Sequence, residues 1–95
     1  MNKQNSYLIT VTSDDDEQAQ EFLSQFEPLE MDTSVQAREV FRRICNTITD
    51  DKNTLINEVE VTKVTEYSYR ALGDYDYTQL VLWQNPYYKR GTKAE

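Results

Sequence analysis

The chain has 95 residues, enough for one domain with a modest core and too few for a second. Its 38% hydrophobic content, two Gly and two Pro exclude collagen-like and low-complexity classes. A single Cys and no His exclude a disulfide framework and a cysteine-based zinc site, and they remove the commonest general base. The net charge of −7 argues against direct binding of nucleic acid, because neutralising phosphates requires an excess of Lys and Arg.

The chain shows no membrane or targeting signal. No apolar run approaches the roughly 20 residues that span a bilayer, and the N-terminal residues do not resemble a secretory signal. We therefore expect a cytoplasmic protein without membrane contact. No repeat or linker divides the chain. We predict one domain over residues 1–84 and a basic, mobile tail over residues 85–95, because Pro86 cannot donate to a central strand pair.

The first predicted elements are a strand and a helix. Residues 7–12 (YLITVT) are β-branched and aromatic, which indicates a strand. A helix should follow with Ser13 as its N-cap, because a hydroxyl can accept a hydrogen bond from a first-turn amide. Pro28 should end this helix. Its apolar residues recur at i, i+3, i+4 and i+7 and are Ala19, Phe22, Leu23 and Phe26.

A second helix is predicted from Thr33 onwards, because Thr33 and Gln36 have the spacing of a capping box. We expect it to fray near Thr49. Its apolar period runs through Ala37, Val40, Phe41, Ile44, Cys45 and Ile48. Cys45 in this stripe is typical of a small buried hydrophobe, since no His is present to activate it as a nucleophile. The basic edge of this helix is expected to pair with the acidic first helix, and it consists of Arg38, Arg42 and Arg43.

The second half of the chain predicts a hairpin. From about Leu55 apolar and polar residues alternate, and a further run of β-forming residues spans 75–83. Between the two runs, Gly73 suits the left-handed position of a three-residue turn. This turn would place the aromatic residues on one face, with Tyr67 opposite Tyr77, Tyr69 opposite Tyr75 and Val61 opposite Trp83. The predicted fold is α+β in the order β-α-α-β-β, with two helices packed on a small antiparallel sheet.

An acidic run lies between residues 13 and 32, which hold eight acidic residues and no Lys or Arg. Three interpretations stay open. The carboxylates could complement the dipole of the first helix on a solvated face, or they could meet a basic protein partner. They could also hold a metal ion, although they lack the alternate-residue spacing of an EF-hand loop. The residues predicted for a partner surface are Asp14, Asp15, Asp16, Glu17 and Glu21.

Tyrosine is the second unusual feature, with seven in the chain. Four of them lie near the predicted turn, namely Tyr67, Tyr69, Tyr75 and Tyr77. They could form the half-buried sheet face that packs on the helices. Alternatively, they overhang the core as an amphipathic patch typical of binding hot spots, while the core receives Val59, Val61, Val81 and Trp83. Base stacking on such a patch would conflict with the negative net charge.

Composition and pattern together predict a non-enzymatic interaction protein that needs no cofactor and no metal. The leading hypothesis is a small acidic inhibitor or decoy on a basic surface of a nucleic-acid-handling protein, a role typical of proteins from phages and other mobile elements. The alternative is a self-associating accessory domain that uses the Tyr- and Trp-rich sheet face. A homodimer is expected because a monomer rarely exposes such a patch. A third hypothesis is an enzyme with paired carboxylates and a divalent ion.

Overall fold

A computed structural model describes residues 3–67 and 74–89. The elements are β1 (Lys3–Ser13), α1 (Asp16–Ser24), β2 (Glu30–Met31), α2 (Ser34–Asp51), β3 (Ile56–Tyr67) and β4 (Asp74–Gln84). The predicted α+β class, with two helices and an antiparallel sheet, is confirmed. The structure adds one element to the predicted order, the two-residue strand β2 between the helices. The predicted turn at Gly73 lies outside the described residues.

The four strands form one antiparallel sheet in the order β2-β1-β3-β4. The first strand of the chain is thus a central strand, and it pairs with β3 along its whole length, with Ile9 opposite Val61. The short strand β2 borders β1 through Tyr7 opposite Met31. Both β2 and β4 are edge strands of the described sheet.

The N-terminus of α1 corrects one prediction. The N-cap is Asp15, whose carboxylate accepts the Gln18 backbone N–H at 3.1 Å and the Gln18 side-chain amide at 2.8 Å. Ser13, the predicted cap, is the last residue of β1, and its hydroxyl accepts the N–H of Asp15 at 3.1 Å. The strand therefore extends one residue further than expected and moves the start of the helix. Asp16 and Glu17 occupy the first turn, where their charge complements the helix dipole.

The predicted cap of α2 is confirmed, because the Gln36 N–H donates to the Thr33 hydroxyl at 3.2 Å. The helix continues past the predicted end near Thr49 to Asp51. It ends on Lys52, which has left-handed backbone angles (φ 50°, ψ 47°) and donates its N–H to the last turn. This cap keeps the final turn hydrogen-bonded.

Both helices cover one face of the sheet, called here the helix side. The core lies between the helices and the sheet. It combines strand residues such as Ile9, Val59 and Val61 with helix residues, namely Ala19, Leu23, Ile44 and Ile48. Side chains alternate along each strand, so the intervening residues point to the opposite face. We call this second face the helix-free face, and it carries Gln4, Ser6, Leu8, Thr10 and Thr12 from β1, Glu30 from β2, Glu58, Glu60, Thr62, Val64 and Glu66 from β3, and Tyr75, Tyr77, Gln79, Leu82 and Gln84 from β4.

The register of the hairpin differs from the prediction. Val61 faces Val81 and Val59 faces Trp83, whereas in the half of the hairpin nearer its turn Val64 faces Tyr77. The register shifts between Val61 and Thr62 because β4 contains one extra residue there, Leu80, which forms a bulge. A shift of one residue exchanges the faces of a strand. The predicted single row of aromatic residues is therefore wrong.

Two further packing predictions need correction. Val81 was expected in the core but is 40% exposed. β4 is the outermost strand, and the helices pack mainly on β1 and β3. The arginines of α2 were expected to pair with the carboxylates of α1. Instead Arg42 forms an ion pair with Glu39 at 2.6 Å, and the Arg43 guanidinium lies 5.8 Å from the centre of the Phe26 ring.

The segment after β4 is tied to the α2–β3 connection. Asn85 is buried, and its side-chain amide donates to the carbonyl oxygens of Asn53 and Ile56, both at 2.7 Å. The Lys89 N–H donates to the carbonyl of Thr54 at 3.1 Å. Residues 85–89 of the predicted tail are thus attached to the domain, and the later residues lie outside the described part of the chain.

Candidate partner-binding surface

The helix-free face has a uniform charge. Among the residues that the described strands place there, four are glutamates and none is Lys or Arg. The glutamates are Glu30, Glu58, Glu60 and Glu66. Both lysines of the strands, Lys3 and Lys63, occupy helix-side positions. Because no helix covers this face, the four carboxylates point toward solvent without a cation beside them in the strands.

Two of these carboxylates are held in place by neutral donors. The Gln79 side-chain amide donates to Glu60 Oε2 at 2.7 Å, and the Gln84 side-chain amide donates to Glu58 Oε2 at 3.2 Å. Both bonds cross from β4 to β3. An amide orients a carboxylate without neutralising it, so the negative charge is fixed in position and stays available to a partner.

A pocket of about 360 Å³ opens on the helix-free face near the hairpin end. Its lining combines three carboxylates with two tyrosines and includes no Lys or Arg; the residues are Gln4, Ser6, Leu8, Glu30, Asp32, Val64, Glu66, Tyr75 and Tyr77. The Tyr75 and Tyr77 rings lie 6.4 Å apart and are 51% and 69% exposed. Acidic and aromatic groups together suit a cationic side chain, which gains both a carboxylate contact and the face of a ring.

The predicted acidic set does not lie at this pocket. Asp14 and Asp15 follow the end of β1, and Asp16, Glu17 and Glu21 belong to α1. Tyr77 lies at the level of Val64 and Ser6, eight residues back along β1 from Asp14. At about 3.3 Å per residue, Asp14 lies roughly 25 Å from Tyr77 along the sheet, and none of the predicted acidic residues lines the pocket. Asp15 also has a structural role as the helix cap, so it is less suited than its neighbours to contact a partner.

Of the four predicted tyrosines, the structure brings two together. Tyr75 and Tyr77 are neighbours on the helix-free face. Tyr67 lies on the helix side, in phase with Val61 of β3, and pairs with Asp74 because the bulge at Leu80 moves Tyr75 and Tyr77 to the opposite face. Tyr69 lies outside the described residues. Glu58, Glu60 and Glu66 were absent from the predicted set, although their alternation with Val59 and Val61 already placed them on one strand face.

Two facts about the described residues concern metal and thiol chemistry. Within residues 3–67 and 74–89, no three His, Cys, Asp or Glu side chains are arranged to hold a metal ion. Cys45 is half-buried, and this burial raises the pKa of its thiol to about 11. The thiol is therefore protonated near neutral pH, whereas nucleophilic attack requires the thiolate. Neither α1 nor α2 combines the length and apolar character of a membrane span.

These features define an α+β domain with a helical layer on one face of a four-stranded antiparallel sheet and an acidic, tyrosine-bearing surface on the other. Comparison of the chain with protein-family models, with curated proteins and with solved structures yields no match.

Proposed function

We propose that this protein is a non-enzymatic inhibitor or decoy that binds a basic surface of a nucleic-acid-handling protein through its helix-free face. One observation carries the proposal: the strands give that face four glutamates, no Lys or Arg and two exposed tyrosines. The expected partner is a protein rather than nucleic acid, because phosphates would be repelled by the same carboxylates.

Electrostatics supports this mode of binding. A surface of one sign steers an oppositely charged partner into encounter and raises the association rate, and it disfavours partners of like charge. Glu58 and Glu60 are already oriented by amide hydrogen bonds, so little side-chain freedom is lost when a partner binds. Tyr75 and Tyr77 add apolar area with few rotatable bonds, as interface anchors do.

The choice of a nucleic-acid-handling partner follows from the same chemistry. Proteins that hold DNA or RNA concentrate Lys and Arg where the phosphates lie. A rigid sheet face with fixed carboxylates can occupy those side chains in place of the phosphates. Binding of this kind excludes the nucleic acid, which makes inhibition the direct consequence of contact.

Two double variants with the same charge change test which acidic surface binds. Glu30→Lys with Glu66→Lys alters the helix-free face, and Glu17→Lys with Glu21→Lys alters α1. Each pair takes the net charge from −7 to −3, and all four side chains are exposed. The wild-type chain is used to capture partners from its native host extract at low and high salt, and the purified partner is then titrated with all three proteins and with its own nucleic acid.

The expected result is that the helix-free variant binds at least about tenfold more weakly, while the α1 variant loses much less. Salt should weaken the wild-type complex through screening. The partner's nucleic acid should displace the protein. If the α1 variant loses binding and the helix-free variant does not, the surface is misassigned. If nucleic acid and protein bind the partner together without mutual weakening, the decoy role is wrong.

A further inference from the structure

The outer edge of β4 is a long, apolar strand edge. β4 has eleven residues, and no described strand flanks it on its outer side. We propose that β4 pairs antiparallel with β4 of a second copy, so that two chains form one continuous eight-stranded sheet. This dimer uses the strand edge rather than the acidic surface, and the inference does not depend on the proposed function.

Hydrogen-bond direction along β4 shows which backbone groups face outward. The Asn85 N–H donates to the Asn57 carbonyl at 2.9 Å. Trp83 and Val81 are in phase with Asn85, so their backbone N–H and C=O groups also point toward β3. Leu82 and Gln84 turn away. Beyond the bulge the phase shifts by one residue, and the outward-facing positions there are Tyr75, Tyr77 and Gln79.

These five outward positions are symmetric about Gln79. The β3 residues opposite these positions are evenly spaced, with Thr62 opposite the central Gln79. In order along β4, Tyr75, Tyr77, Gln79, Leu82 and Gln84 face Glu66, Val64, Thr62, Glu60 and Glu58. A twofold axis at Gln79 therefore pairs Gln79 with its own copy, Tyr77 with Leu82, and Tyr75 with Gln84 of the second chain. The outward-facing N–H and C=O groups of these five residues then meet outward-facing groups of the other strand, and the bulge of each strand lies opposite Thr78 of the other. The edge is self-complementary at these five positions.

Charge favours this arrangement over parallel pairing. Both acidic residues of β4, Asp74 and Asp76, lie at one end of the strand. Antiparallel pairing places that end against the uncharged end with Leu82, Trp83 and Gln84, so no carboxylate faces its own copy. Parallel pairing would align like charges across the strands, which is destabilising.

The edge also offers apolar area to a second copy. Besides the two tyrosines, Leu80, Val81 and Leu82 are 46%, 40% and 42% exposed. Together these five side chains expose on the order of 400 Å² per copy, or about 800 Å² in a pair. Strand pairing covers only the flank of these side chains that faces the second copy, so the buried area lies near or below the roughly 1,200–2,000 Å² of specific interfaces, and the backbone hydrogen bonds of the paired edges add to it.

The symmetry has a consequence for the two faces. A twofold axis that relates antiparallel edge strands is perpendicular to the sheet, so each face is continued by the same face of the second copy. Both helical layers then lie on one side. The helix-free faces merge into one surface with twice the number of glutamates and tyrosines.

Two substitutions at the axis separate edge pairing from other modes of association. Gln79→Pro removes one outward N–H per chain and no backbone hydrogen bond to β3. Gln79→Ala keeps the N–H and, like the proline variant, loses the side-chain bond to Glu60, so it controls for that loss. Leu82→Lys is a second edge variant in case the proline variant does not fold, as judged by circular dichroism. Mass is measured by sedimentation and light scattering over micromolar concentrations, and amide hydrogen exchange is followed by NMR.

We expect wild type and Gln79→Ala to show twice the 11.2 kDa chain mass. Gln79→Pro and Leu82→Lys should dimerise at least about tenfold more weakly, because symmetry doubles each loss. The amides of Tyr77, Gln79 and Leu82 should be protected from exchange in a concentration-dependent way. A wild-type mass near 11.2 kDa, or a dimer in which these amides exchange freely, would overturn the proposal.

Discussion

The Asn85 side-chain amide donates to the carbonyl oxygen of Ile56 at 2.7 Å and so joins the end of β4 to the start of β3. The same amide donates to the Asn53 carbonyl, and the Asn85 Oδ1 atom accepts the Tyr87 N–H at 2.9 Å. Asn85 is one of the few buried polar side chains among the described residues, and each of its polar atoms is hydrogen-bonded.

Asn85→Ala should lower the free energy of unfolding by about 2–3 kcal/mol, because two carbonyl groups lose their donor inside the protein. Asn85→Asp should cost at least as much, since a carboxylate accepts hydrogen bonds but cannot donate them to these carbonyls. Urea denaturation measures both. Exposed Gln84→Ala is the neighbouring control and should stay within about 0.5 kcal/mol of wild type. An Asn85→Ala variant as stable as this control would contradict the role assigned to the amide.

The cap of α1 gives a second prediction. Asp15→Ala should destabilise the protein by about 1 kcal/mol, because the N–H of Gln18 loses its acceptor, while Asp15→Asn should be nearly neutral. Ser13→Ala serves as the comparison, since the Ser13 hydroxyl accepts only the N–H of Asp15 before the helix. Thermal and urea denaturation of the three variants rank these effects. A larger loss for Ser13→Ala than for Asp15→Ala would restore Ser13 as the cap.

The C-cap of α2 predicts a stabilising substitution. Lys52 has φ 50°, a conformation that costs a residue with a Cβ roughly 1 kcal/mol relative to Gly. Lys52→Gly should therefore raise stability by about 0.5–1 kcal/mol and the melting temperature by a few degrees. Lys52→Ala removes the charge but keeps the Cβ, so it should not show this gain. Equal melting temperatures for the two variants would indicate that the backbone angle is not the cause.

Burial of Cys45 predicts slow thiol chemistry. With its pKa raised to about 11, the thiol should react with iodoacetamide at pH 8 roughly 100-fold more slowly than in the urea-unfolded chain, and the rate should rise tenfold per pH unit. The raised pKa also means that burial favours the folded state below the unfolded pKa and loses this effect as pH rises through about 11. Equal alkylation rates in folded and unfolded protein would contradict the burial.

Local signals explain which parts of the fold were predictable. The cap at Thr33 and the apolar stripe through Ala37, Ile44 and Ile48 depend on residues within a few turns, so α2 followed from the sequence. The two residues of β2 have no period to detect, and their strand exists only because β1 lies beside them.

The hairpin register could not be obtained in the same way. Alternation is compatible with several alignments of β3 and β4, and the extra residue at Leu80 becomes visible only when both strands are paired. The candidate surface was partly readable: Glu58 and Glu60 alternate with buried valines. What the sequence lacked was the position of β2, which adds Glu30 to the same face.

Strand order also constrains how the chain folds during its synthesis. β1 is made before β2 and β3, yet its main partner is β3, and Lys3 pairs with Tyr67, 64 residues later in the chain. Until β3 has left the ribosome, β1 has only the two residues of β2 beside it. Pairing of residues so far apart in sequence loses the entropy of a long loop before the strand contacts form, which slows folding. The part of the core that depends on Val59 and Val61 therefore forms only after the residues that follow Ile56 have emerged.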